Sequence, residues 1–440
     1  MIADFLLEKS RYAARTIMNK QMTVSSGSLQ QAPSVLIINA YSAKNIGDGA
    51  IIIATIKILK RQFPNCEINV MSGYPDDNVE LYTSVGAKSI PSVWVLSQNS
   101  NKFKRYLEGP AIVLRVLLGR QVHNIDVVRN ADIVISAGGG YLFSSRKGAL
   151  GTGFVNALFH IWLGTHFKKP TYIFPKSIGP IQFRADAFLL KRILQRTKAI
   201  FVREPLSLDY LRRIGLKNII ACPDIAFSLY PAAVDAIQAG ITQGDPKIGI
   251  TVLDWQFFRR GTNPEDVSEY IDKVSTICHK IREVYPQAHF YIFVQVAVAL
   301  KIGAESDMPI SRKLQEALGS MVTLVPLDAT KGGEWAIGLY KNMDLFVASR
   351  MHSAIFALCA SVPTVALIYQ QKTKGTFEML GLSEYTHDVQ AINVEEVTAQ
   401  ISAMITEKNR LTEQVIAAVE KARMQIENEI EGRLKSFTVS

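Results

Sequence analysis

Two doubly wound α/β domains facing each other across a cleft are the fold this sequence predicts, on three observations. The chain has 440 residues, more than one hydrophobic core ordinarily supports. Short apolar, β-rich runs alternate with amphipathic stretches almost throughout, the pattern of parallel strands covered by helices on both faces. That alternation is interrupted at "PAAVDAIQAGITQGDPK", from Pro231 to Lys247, which ends in turn residues, and then it restarts. The expected organisation is an N-terminal helical extension over residues 1–34, a first domain over 35–230 and a second over 247–440 with terminal helices.

In the first domain the expected strands are "SVLIINAY", "EINVMSGY", "VWVL", "DIVISAGGG", "PTYIFPKS", "AIFVRE" and "IIACPD". Helical patterning lies between several of them, as in "GAIIIATIKILKRQF" and "ALFHIWLGTHF". In the second domain "IGITVLDW", "HFYIFVQVA", "MVTLVPL", "LFVASR" and "TVALIY" read as strands. Long helical patterning then runs from "NVEEVTAQISAMITEK" through "ENEIEGRLKSF". The last helix is placed to cross back and brace the first domain.

Composition removes several classes of function. A hydrophobic content of 48% with 20% charged residues is that of a globular protein with enough apolar material for two cores. Cys66, Cys222, Cys278 and Cys359 are scattered, with neither a zinc pattern nor a disulfide framework, which suits a reducing, cytoplasmic location. No His/Asp/Glu cluster has ligand spacing, so no metal is expected. The opening "MIADFLLEKSRYAARTIMNK" lacks the features of a signal peptide. No apolar run reaches the roughly 18 residues a spanning helix needs. "GPAIVLRVLLGR" is too short and contains Arg115.

The formal net charge of +10 is unevenly spread, with nine Lys/Arg against three Asp/Glu from Arg184 to Lys217. A solvated face accounts for such a run. So does attraction to an anionic membrane, which would place the protein at the inner face of the membrane. Nucleic acid ranks last, because no nucleic-acid-binding module signature is present.

In doubly wound sheets, ligands sit beyond the carboxyl ends of the strands, so residues just past each strand are the ones to inspect. After the first strand comes "NIGDGAII", in which Asn45 and Gly47 shape a turn and Asp48 is either a helix cap or a cleft carboxylate. After the fourth come Gly138, Gly139 and Gly140, which allow close backbone approach but do not form GxGxxG. "PKSIGP" offers Ser177 and Gly179 on a loop stiffened by prolines. Arg203 is either an ion-pair partner of Glu204 or an anion clamp. Past "LFVA" lie Ser349, Arg350, Met351 and His352. An arginine fork and a histidine at one strand end, ahead of a helix N-terminus, favour an anion. Lys372 and Lys374 follow the next strand.

Taken in order, "NIGDGAI", "AGGGYLF", "PKSIGPI", "VREPLSLDYLRRIGL", "CPDIAFSL", "SRMHSAIFALCASVPTVALIY" and "KTKGTFEMLGL" resemble the polysaccharide pyruvyl transferase family, from about Val35 to about Leu382. One departure is Lys176, where the family pattern leads us to expect glutamine. The resemblance implies a GT-B-like arrangement of two Rossmann-like domains. It also implies transfer of the three-carbon unit of phosphoenolpyruvate to two hydroxyls of one sugar, giving a pyruvate ketal. The donor would be held by Arg203 and by the Arg350–Met351–His352 triplet.

That chemistry fits the residue types. A donor with a carboxylate and a phosphate needs at least two cations. Ketal formation starts by protonating the enol methylene, a task for His352. Asp48 is our candidate base, and Lys372 a candidate partner of the departing phosphate. No cofactor is expected beyond phosphoenolpyruvate as donor, and the acceptor would be a glycan, soluble or lipid-linked. Two other readings share the fold: a glycosyltransferase using a nucleotide sugar, and a non-catalytic glycan-binding protein. Against the first, no E-x7-E arrangement follows the R-x-H block. Against the second, Arg203, Arg350 and His352 are all in place.

Overall fold

The computed structural model describes residues 32–95, 102–255, 263–297 and 306–435. The expected N-terminal extension therefore lies almost wholly outside the described residues.

The first unit opens with strand β1 (Ser34–Ala40), helix α1 (Ile46–Gln62), β2 (Glu67–Ser72), α2 (Pro75–Ser84) and β3 (Lys88–Pro91). It continues through α3 (Lys102–Leu117), α4 (Ile125–Asn130), β4 (Ile133–Ser136), β5 (Gly139–Leu142) and α5 (Thr152–His166). It ends with β6 (Thr171–Ile178), α6 (Arg184–Leu194), β7 (Ala199–Val202), α7 (Pro205–Arg213) and β8 (Ile219–Ala221). The strands form a sheet in the order β3-β2-β1-β4-β6-β7-β8, with β5 paired to β6. Every pairing is parallel, for example Leu36 opposite Val134.

The second unit alternates again. It runs β9 (Lys247–Thr251), α8 (Pro264–Val284), β10 (His289–Val294), α9 (Met308–Leu318), β11 (Val322–Pro326) and α10 (Gly332–Tyr340). Then follow β12 (Leu345–Ala348), α11 (Met351–Cys359), β13 (Thr364–Ile368), α12 (Gln371–Leu380) and β14 (Thr386–Asp388). Its parallel sheet has the order β11-β10-β9-β12-β13-β14. Helices α13 (Val394–Thr406) and α14 (Lys408–Ile426) follow, and a π-helical turn (Glu427–Glu431) and a short helix α15 (Gly432–Lys435) end the described residues.

Strand order reverses between β1 and β4 in the first sheet and between β9 and β12 in the second. Those are the two places where connecting helices leave to opposite faces and open a crevice. One apolar cluster joins the inner faces of both sheets, running from Val35 and Ile51 to Ile355 and Phe356, and from there to Val415 and Ile426 on α14. Helix α1 is buried on nearly every side because it lies in this shared layer, which is why "AIIIATI" shows no polar face. Gly333 of α10 lets that packing close, since a Cβ there would stand 2.6 Å from Ala50. Arg423 of α14 donates to the Phe227 and Leu229 carbonyls at 3.0 and 2.9 Å, so the last long helix does reach back to the first domain.

Two local expectations differ from the structure. "VWVL" is not the third strand; β3 lies just before it, and Val93 and Trp94 instead pack into the apolar layer outside the first sheet. "PKSIGP" is not a loop from its first residue, because β6 continues through Pro175 to Ile178. Its register against β7 shifts between Ile173 and Lys176, and this irregularity accommodates a proline that has no N–H to give the ladder.

Candidate active site

The ends of β1, β4, β6, β7 and β12 and the start of α12 bring most of the expected residues into one buried group. At the start of α1, Asn45 is the cap: its side chain accepts from Gly47 N at 3.2 Å and donates to Asp48 at 2.7 Å. Asp48 is therefore not the cap itself, and its Oδ1 faces Gly139, 3.9 Å from where a Cβ would stand. Gly139 has φ of 107°, a left-handed conformation open to glycine at little cost. Burial pushes the Asp48 carboxyl up to about 6, against the pull of Lys372, Arg203 and Arg350.

Arg203 is 2% exposed and pairs with Asp224, not with the neighbouring Glu204. Its Nε donates to Ser177 at 2.9 Å. A guanidinium has five N–H donors, and the remaining Nη2 faces the backbone of Gly140. Glu204 instead accepts from Ser207 at 2.5 Å. Arg350 is likewise gripped, its Nε donating to Asp307 at 2.6 Å and its Nη2 to the other oxygen of the same carboxylate. Both arginines are thus held in fixed orientation with donors to spare.

His352 lies in the first turn of α11, and its ring rests on Gly47 of α1, where a Cβ would stand 2.5 Å from the imidazole Cγ. Its Nε2 is 3.9 Å from Asp224 and makes no hydrogen bond among the described residues. Burial lowers its pKa to about 3, Asp224 opposing and Arg203, Lys372 and Arg350 reinforcing. Burial thus favours the neutral imidazole. Lys372, on α12, is pushed down to about 8, first by burial and then by Arg203. Lys374, two residues on, is solvent-exposed.

The other expected residues sit less directly. The Ser349 hydroxyl is 2.6 Å from Tyr270 Oη, and the Met351 side chain lies in the shared core, so the backbone is what these two bring to the cleft. Gly138 is small because Pro175 O would stand 2.8 Å from a Cβ. Gly179 N donates to Leu142 O at 2.8 Å, tying the end of β6 to β5.

Three groups at the site carry no assignment from sequence reasoning. Asp224 and Asp307 are 21 and 43 positions from the arginines they hold, so no local pattern marks them. "CPDIAFSL" contained the signal for Asp224, an acid at a strand end. The third is Lys176, fully buried on β6, donating to Ser136 at 3.2 Å with its Nζ 3.4 Å from the centre of the Tyr141 ring. Burial, with Arg203 beside it, holds this amine well below its ordinary value. Among the described residues no group of three His, Cys, Asp or Glu side chains is arranged to hold a metal ion.

Known proteins share this fold. Among solved structures, sucrose-phosphate synthase from Thermosynechococcus elongatus superposes with a TM-score of 0.54 at 14% identity, covering 91% of this chain and 96% of that one. UDP-GlcNAc 2-epimerase from Neisseria meningitidis, bound to UDP-GlcNAc, gives 0.51 at 10% identity, covering 89% and 99%. The fold is of the GT-B type, two Rossmann-like domains around a cleft. The amylovoran biosynthesis protein AmsJ of Erwinia amylovora is 25% identical over 421 residues, covering 89% of this chain and 96% of that protein. The sequence model described as polysaccharide pyruvyl transferase matches residues 45–371, a span that takes in Asp48, Arg203, Asp224, Asp307, Arg350 and His352. The chain belongs to the polysaccharide pyruvyl transferase family.

Proposed function

We propose that the site takes phosphoenolpyruvate as donor and builds a cyclic pyruvate ketal on two hydroxyls of a glycan. The observation that carries this reading is the pairing of an unpartnered, neutral His352 Nε2 with three cations, Arg203, Arg350 and Lys372, whose fields all act on it. A small dianion fits such a group better than a neutral sugar, since each cation keeps unused donors. The relative AmsJ, named for amylovoran biosynthesis, supports a polysaccharide context. All four cysteines are free, which suits work in the cytoplasm.

In this reading the donor anion raises the proton affinity of His352, which then delivers its proton to the enol methylene carbon. The carbon bearing the phosphate becomes oxocarbenium-like. A sugar hydroxyl attacks it while Asp48, ionised at neutral pH, removes the hydroxyl proton. Phosphate then leaves toward Lys372 with its bonding electrons. The second hydroxyl closes the ketal and releases the other proton. Of the two protons released from oxygen, one restores His352 and the other goes to the freed phosphate, so the sum is ketal and inorganic phosphate, and no resident cofactor enters this reading.

The test is incubation of the full chain with phosphoenolpyruvate and a panel of aryl or lipid-linked glycosides. Phosphate release together with a ketal mass gain is the expected result. Transfer from a nucleotide sugar, with phosphoenolpyruvate inert, would refute the assignment.

A further inference from the structure

On the outer side of the first sheet, α3 packs on α5 and α5 on α6, burying Val116, Leu158, Leu163 and Leu190 beneath them. The outward side of this layer is unusually apolar. Leu114, Leu117 and Leu118 around the end of α3, Phe143 and Leu150 after β5, and Phe188 on α6 are 45–71% exposed. A single exposed leucine is ordinary, but six large apolar side chains in two groups of one helical layer, at the end of α3 and on α6 with its attached loop, are more than scattered singles and are taken together as a patch.

The patch lies near the cleft. Asp186 of α6 accepts from Leu150 N at 2.7 Å and from Ser144 at 2.5 Å, fixing the 143–150 loop onto α6. Asn124 donates to Pro91 O at 2.7 Å, which sets the α3–α4 turn at the carboxyl edge of the sheet, where the cleft opens. Phe143 follows three residues after Gly140, which borders Arg203.

The charge of the patch has one sign. Arg115, Arg120, Arg146, Lys147 and Arg184 are exposed, and none has an ion pair among the described residues. Across residues 110–120, 143–150 and 184–192 the one acid is Asp186, buried and already engaged.

We infer that this face seats the protein on an anionic lipid bilayer, with the cleft mouth turned along the membrane surface. Leucine and phenylalanine enter the boundary between headgroups and acyl chains while arginine and lysine stay among the phosphates. Apolar side chains beside arginine and lysine that are unpaired among the described residues suit a deformable anionic lipid surface. A second copy of the chain would bring like charge against like charge.

The experiment is co-sedimentation of the full chain with phosphatidylcholine vesicles, with and without phosphatidylglycerol, at low and high salt. Variants are Leu117→Ser with Leu118→Ser, Phe143→Ser with Phe188→Ser, and Arg146→Glu with Lys147→Glu, each checked for native circular dichroism. Expected is binding to the anionic vesicles alone, weakened about tenfold or more by salt and cut at least several-fold in every variant. Four results would overturn the inference. They are no vesicle binding at all, unchanged binding in all three variants, and loss confined to a chain lacking residues 1–31. The fourth is lipid-independent self-association, or binding to a polyglutamate peptide without vesicle binding, dispersed by the same substitutions. None of these readouts depends on turnover, so they stand apart from the fate of the ketal-forming assignment.

Discussion

Asp48 is a carboxylate held where its charge is unwelcome, and that gives its substitution two opposite effects. Its pKa is raised to about 6 by burial, above the ordinary carboxyl value. Folding therefore favours its protonated form, and the cost of ionising it grows as pH rises from about 4 and is complete above about 6. Asp48→Asn should raise stability by about 2–3 kcal/mol at neutral pH, with the gain shrinking toward pH 4, while turnover collapses. Denaturant midpoints measured across that range check the first half, and a variant no more stable than the parent would show the carboxylate to be well solvated. In the parent, kcat/KM should be flat between about 3 and about 6, where the gain of the Asp48 carboxylate offsets the loss of the His352 proton, and should fall above about 6, more steeply beyond about 8 as Lys372 loses its proton. His352→Gln should keep much of the donor affinity yet lower kcat by about 10²–10⁴. Calorimetry in buffers of different ionisation enthalpy should also show that donor binding takes up a proton in the parent and not in this variant. A variant with parental kcat and only weaker binding would make His352 a binding residue.

At the scale of elements, the site depends on two helix starts meeting. Gly47→Ala puts a methyl into the His352 ring, so α1 and α11 must shift, and misplacement of about 1 Å costs roughly 10²-fold in rate. Gly73→Ala, with nothing within 4 Å of the added carbon, is the matched control. Equal activity in both would mean the two helix starts yield easily. Strands such as "LFVASR" and "TVALIY" were legible because buried parallel strands are continuous apolar runs with sharp ends. The R-x-H block was legible because it sits at such an end. Asp224 and Asp307 were not, since a partner chosen across the fold leaves no local pattern. The course of β6 was hidden for a different reason: Pro175 reads as a breaker, and only the neighbouring strands show that it is carried at an irregularity in the ladder.

Over the whole molecule, the two sheets share one apolar layer and α14 spans it. The protein should therefore unfold in one transition. Arg423→Ala removes two charge-assisted hydrogen bonds to the Phe227 and Leu229 carbonyls, each worth about 1.5–3 kcal/mol. It should lower the denaturation midpoint without changing secondary structure, and two separate transitions in the parent would contradict the shared core. The break in alternation near Pro231 falls between Ser228 and β9, where no helix or strand runs. It gave no hint that the packing runs straight across that break, because apolar periodicity records that a face is buried and not what buries it. The contact of His352 with Gly47 carries a consequence of another kind. Were the two helix starts to part, water would return the imidazole to ordinary basicity, so the spacing of the halves and the strength of the acid are one variable. Under the proposed mechanism, shutting on an empty cleft would discard the proton and shutting on a dianion would retain it, so the donor itself would arm the acid and an idle closed molecule would have nothing to spend on water.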